Sequence, residues 1–135
     1  MSNRGQVSLE ELLLWAALAG MLALLTPVFA GVVHAYSLQT QVISLKSASV
    51  ELENAMQALA FEGEGSQRII FLPQIEGLSF STEGNGIIFS LNDPSLSSPK
   101  EFQAQGSLPI DLEAGAGENE WKILRTEEGI TIQSQ

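Results

Sequence analysis

The chain has 135 residues, is 44% hydrophobic and contains no cysteine; that suits one small domain with an appendage and is too apolar for a disordered chain. Without cysteine, thiol chemistry, iron–sulfur clusters, cysteine-ligated zinc and a disulfide-stapled fold are excluded. Six basic residues stand against 16 acidic ones, a net charge of −10, which excludes free nucleic acid as a partner, because a binding face needs clustered Lys and Arg to replace phosphate counterions.

The chain opens on a short polar head, Met1 to Gly5, in which Arg4 is the one basic side chain. Gln6-Val7-Ser8-Leu9-Glu10-Glu11 follows, and then Leu12 to Val33, 22 residues without a charge. As a helix rising ~1.5 Å per residue, that run crosses ~30 Å of hydrocarbon. Three readings compete for it. A conventional secretory signal would use Leu12 to Leu25 as its apolar core and cut after Ala30 or Ala35, but Glu10 and Glu11 stand where a positive region is expected. A plain membrane anchor explains the length and leaves the acids unexplained, since a charge at mid-membrane costs ~2.5–3.5 kcal/mol on insertion scales and less near the interface.

The third reading accounts for the acids. Residues 6–14 fit the pattern Q-x-S-x-E-x-x-x-L at every fixed position, Gln6, Ser8, Glu10 and Leu14, directly after Gly5 and a short basic leader. This segment, roughly residues 1–35, resembles the class III signal peptide of archaeal type IV pilin-like proteins. The resemblance implies that a membrane prepilin peptidase, a transient partner, cuts between Gly5 and Gln6, and that the apolar segment stays in the mature protein. It also implies that Glu10, the fifth residue counted from Gln6, serves assembly by meeting the new N-terminal amine of a neighbouring subunit. A buried carboxylate requires such a partner. If Gln6 cyclises to pyroglutamate the amine is lost, and Glu10 accepts hydrogen bonds instead. The remaining implied partners are the type IV pilus assembly machinery, other copies of the chain in a filament, and the membrane before assembly.

Pro27 falls inside the apolar run and predicts a helix kink, because proline brings no N–H and clashes with the carbonyl four residues earlier. Many type IV pilins carry a proline at the matching place. From Leu38 the texture becomes amphipathic. Leu38, Val42, Leu45, Ser49, Leu52, Met56 and Leu59 form a heptad stripe interrupted by one serine. That face is read as packing on the chain's own second half and also as meeting neighbouring subunits. Glu62-Gly63-Glu64-Gly65 is a helix stop. The whole reads as one helix from about Ser8 to Phe61, roughly 80 Å long at the standard rise.

From Arg68 the signals are those of strands. Arg68 to Leu72 is a short apolar run, and Leu78 to Thr82 alternates with period two. Glu83-Gly84-Asn85-Gly86 is a hairpin turn, with Asn-Gly a strong hairpin dipeptide, and Ile87 to Leu91 is the returning strand. Asn92 to Gly106 reads as a loop. Leu108, Ile110 and Leu112 alternate, with Pro109 marking an edge; Glu113 to Asn119 is a Gly-rich loop. Trp121 to Arg125 and Ile130 to Gln133 flank Thr126 to Gly129 as a second hairpin. About six strands are expected in a small antiparallel sheet, with a curled sheet or a small sandwich also open, and Ile70, Phe80, Phe89 and Ile123 facing inward. So few residues bury little apolar area alone, and the amphipathic helix offers the missing cover.

The fold class expected is therefore α+β: a leader at 1–5, a long helix at 6–61 with an apolar half at 12–33 and an amphipathic half at 38–61, and an antiparallel β head at 62–135. No enzyme is expected. His34 is the single histidine, so a Ser-His-Asp triad or a histidine zinc site is improbable, and no phosphate-binding glycine loop or EF-hand spacing is present. No cofactor or metal is expected. The resemblance implies a structural subunit of a type IV pilus-like surface filament serving adhesion, in the cell membrane as precursor and at the cell surface once assembled. Two other classes stay open: a monomeric membrane-anchored surface binding module, and a secreted soluble β domain.

Overall fold

The computed structural model describes residues 3–113 and 119–134, with side chains from Ser8 onward. A single α-helix, α1, runs from Asn3 to Phe61. Seven strands follow: β1 Gln67–Phe71, β2 Leu78–Glu83, β3 Gly86–Leu91, β4 Lys100–Gln105, β5 Ile110–Leu112, β6 Glu120–Arg125 and β7 Ile130–Ser134. The chain divides into two compact units, Met1–Gln39 and Thr40–Gln135. The first is helix alone. The second holds the amphipathic end of α1 and all the strands.

Leu and Ala dominate α1, and both lose little side-chain freedom in a helix. The assignment runs on through Pro27; Pro27 brings no N–H to the helical ladder, and the Thr26 hydroxyl just before it donates to the Leu22 carbonyl at 2.7 Å. Side-chain bonds to the carbonyl four residues back are associated with helix bending. The helix ends by tightening, with the Glu62 amide donating to the Leu59 carbonyl at 3.2 Å. Of the two glycines expected to stop it, Gly65 takes the left-handed conformation, φ 85°. The Gly65 amide then donates to the Arg125 carbonyl, which ties the exit from the helix to the sheet.

In the second unit the α+β layout is realised as two sheets. One is four-stranded in the order β1-β6-β7-β5, and the other is the meander β2-β3-β4. All neighbouring strands are antiparallel except β5, which runs parallel to β7 with Ile110 opposite Ile130. The small antiparallel head of about six strands, for which a small sandwich was also open, takes the form of two sheets with seven strands among the described residues, and the one departure from antiparallel pairing is β5–β7. The missing strand is β4, inside the segment expected to be a loop. Its sequence, Lys-Glu-Phe-Gln-Ala-Gln, places only Phe102 and a small Ala104 on the inward side, where they pair with Phe89 and Ile87. That apolar signal is too weak to stand out from the polar loop before it. The Gly-rich segment expected at 113–119 lies mostly outside the described residues.

The first hairpin forms where expected, but its turn is Gly84-Asn85, with Glu83 paired to Gly86. Gly84 has φ 59°, and among the described residues none other than glycine has positive φ. That is the type II′ pattern, with glycine at the first central position, in place of the type I′ pattern that Asn-Gly suggests.

The core lies between the amphipathic end of α1 and the sheets. Leu45, Leu52, Met56 and Leu59 are fully buried, as are Ile87, Phe89, Trp121, Ile123 and Ile132. Ile70 is 3% exposed. The serine that interrupts the stripe, Ser49, is buried and satisfied locally: its hydroxyl donates to the Lys46 carbonyl at 2.8 Å. An aromatic cluster joins the two sheets. Phe80 meets Phe89 edge-on at 5.3 Å between centroids and Trp121 at 4.7 Å, while Phe89 and Trp121 stack at 6.3 Å. Such pairs add ~0.5–1.5 kcal/mol each beyond area burial. Phe80 itself is only half-buried. A carboxylate of the helix also reaches a strand: the Gln105 amide on β4 donates to Glu53 Oε2 at 3.3 Å.

Candidate functional site

The feature that sets this chain apart is the surface of the helix in the first unit. Every residue from Ser8 to Ala35 is exposed, including Trp15 at 68% and Leu24 at 77%. In the second unit, large apolar side chains such as Leu52 and Phe89 are withdrawn from water. A helix apolar on all sides is at rest only in lipid or among other apolar helices. This one is long and apolar enough to cross a membrane, with a mean hydropathy of 2.2 in its best window and none of that window buried. By length and composition it can serve as a membrane anchor or a signal element.

The expected processing and assembly residues sit at the start of this surface. Ser8, Glu10 and Leu14 lie in α1 and are exposed. Gly5 and Gln6 also fall within α1, but their side chains lie outside the described residues. Positions 6, 10 and 14 are each about one turn apart, so they recur on one side of the helix. Glu11 is exposed as well, about 100° further round. Glu10 is thus, with Glu11, a carboxylate displayed at the polar end of a membrane-length apolar run. Chemically it can accept hydrogen bonds or pair with a cation brought by another molecule.

The other singled-out residues lie apart from one another along the chain. His34 lies on the exposed helix, 33 residues in sequence before the first strand. Asp93 closes a local turn, accepting from the Ser95 amide at 2.8 Å and from its hydroxyl. Among the described residues no three His, Cys, Asp or Glu side chains gather as metal ligands would. One hollow, lined by Pro109, Asp111, Thr126 and Glu128 among others, measures about 140 Å3. A second of about 330 Å3 lies between the helix and β1, lined by Glu51, Asn54, Ala55, Arg68, Ile69 and Ile70.

No family model matches the chain, and neither a curated protein nor a solved structure matches it.

The heptad stripe expected to serve both the head and neighbouring subunits is claimed by the head. From Leu45 to Leu59 it is buried, and only Leu38 and Val42 are half-buried. The apolar residues left outward on this part of the helix are others: Ile43, 61% exposed, and Val50, 52% exposed. They escape a search for one amphipathic face. The uncharged run, which passes Val33 and continues to Leu45, takes in Ile43 but not Val50.

Proposed function

We propose that the chain is the structural subunit of an archaeal type IV pilus-like surface filament, cut between Gly5 and Gln6, held in the membrane as a precursor and polymerised through α1. The observation that carries the reading is the exposed apolar stretch of α1 from Leu12 to Ala35, at whose start stand Gly5, Gln6, Ser8, Glu10 and Leu14. Lipid covers that helix in the precursor, and sister helices cover it in the filament. Its apolar area therefore stays out of water throughout, at ~25 cal/mol per Å2. The β head keeps most of its large apolar residues inside, with Ile69 and Phe71 exposed on β1, and its sequence is acidic, with 12 acids against 4 bases from Phe61 to the end, which suits the outside of a fibre.

In this reading Glu10 enters the apolar bundle and is neutralised there by the N-terminal amine of the next subunit, or by hydrogen bonds if Gln6 is cyclised. The test is Glu10→Gln, with Glu11→Gln as the internal control. The Glu10 variant is expected to be processed normally and to accumulate in the membrane with few filaments, while the Glu11 variant assembles. Quantifying sheared filaments against membrane-bound protein reads the outcome. Equal assembly by both variants would remove the role given to Glu10.

A further inference from the structure

We infer that Trp15 and Tyr36 set the depth of α1 in a lipid bilayer, each ring lying at one membrane–water interface with residues 16–35 in the hydrocarbon between them. The inference rests on the membrane stage of the reading above and deepens it, by naming the side chains that meet the lipid headgroups.

Tyr36 is the chain's single tyrosine, and of its two tryptophans Trp121 is fully buried in the head. Trp15 and Tyr36 are both displayed on the helix, 68% and 73% exposed. An indole or a phenol has an apolar body and a polar edge, so it gains most at the level of the headgroups, between hydrocarbon and water. The two rings are 21 residues apart, roughly 31 Å along a helix, and a hydrocarbon layer is ~30 Å thick.

The residues inside and outside this span agree with it. Between the rings there is no charge, and the polar side chains are Thr26 and His34. Thr26 falls at the middle of the span, where an unsatisfied hydroxyl is most costly, and its hydroxyl donates to the Leu22 carbonyl within the helix at 2.7 Å. His34 lies two residues inside Tyr36, at the edge of the hydrocarbon. Directly beyond Tyr36 come Ser37, Gln39, Thr40 and Gln41. At the other end, Glu11 and Glu10 fall four and five residues before Trp15, ~6–8 Å out along the helix and within the headgroup layer. A carboxylate keeps water there, and its cost is far below that at mid-membrane. Hydropathy alone seats the helix differently. A span of Leu12 to Val33 lies three residues nearer the N-terminus, presses Glu11 against the hydrocarbon and leaves Tyr36 beyond it.

The test uses the full, uncut chain in nanodiscs of equal parts phosphatidylcholine and phosphatidylglycerol, which leave both bilayer faces open. Because the chain has no cysteine, single-cysteine variants report depth through labelling by a membrane-impermeant maleimide. Leu12→Cys and Gln39→Cys are expected to label, and Leu24→Cys and Ala35→Cys to be protected. Protection at position 12 with labelling at position 35 overturns the inference and leaves the membrane reading standing. Labelling at position 24, in mid-span, overturns both. Moving the ring isolates its role: with Tyr36→Ala and Gln39→Tyr together, the outer edge of protection is expected to shift outward by three residues. Leu38→Cys, labelled beside the native Tyr36, then becomes protected. If position 38 labels equally in both backgrounds, apolar length sets the depth and the inference falls.

Discussion

Leu52 carries the clearest single-residue consequence. It lies at the middle of the inner stripe with no exposed surface, among Leu45, Met56 and Leu59. Truncation to Ala removes its transfer free energy and leaves a cavity that the helix and sheets only partly close, so Leu52→Ala is expected to destabilise the head by ~2–5 kcal/mol. Denaturant unfolding of the variant checks this; a loss under ~1 kcal/mol would mean that the site relaxes or is wet. Residues of this kind were legible from spacing alone. Ile70, Phe89 and Ile123 were expected inward and are buried. Phe80 was expected with them and is half-buried, because β2 is the outer strand of its sheet and only one side of its ring is covered, by Phe89 and Trp121.

At the scale of elements, the legible features were those with strong periodicity or turn chemistry. The long helix, both hairpins and the edge position of the segment after Pro109 follow from apolar spacing, from glycine in turns and from the lost N–H of proline. What failed was β4, whose polar sequence earns its strand conformation from pairing with β3 rather than from propensity. The parallel β5–β7 pair was also out of reach, because strand direction is set by how the chain returns over distance and not by local pattern. The dependence of the sheets on α1 gives an element-scale test. A soluble fragment starting near Leu38 is expected to melt cooperatively, followed by circular dichroism. A fragment starting near Ser66 is not, since it loses Leu45, Leu52, Met56 and Leu59 from the core. If the shorter fragment melts cooperatively at the same temperature, the helix contributes nothing to the head.

At the scale of the whole molecule, the two units follow opposite rules of burial. Thr40–Gln135 keeps its large apolar side chains largely inside, whereas Met1–Gln39 displays them all along one helix. That contrast is what a subunit passing from membrane to filament requires, and what a secreted soluble domain would discard. The candidate site is a motif of the sequence, Gly5 with Gln6, Ser8, Glu10 and Leu14, to which the fold adds that Ser8, Glu10 and Leu14 lie exposed on one helix. The most direct test of the filament reading is the N-terminal peptide mass of the chain recovered from sheared surface filaments. A chain beginning at Gln6, with or without the loss of ammonia that marks cyclisation, is the expected result; a chain beginning at Met1, Gly31 or Tyr36 would contradict it.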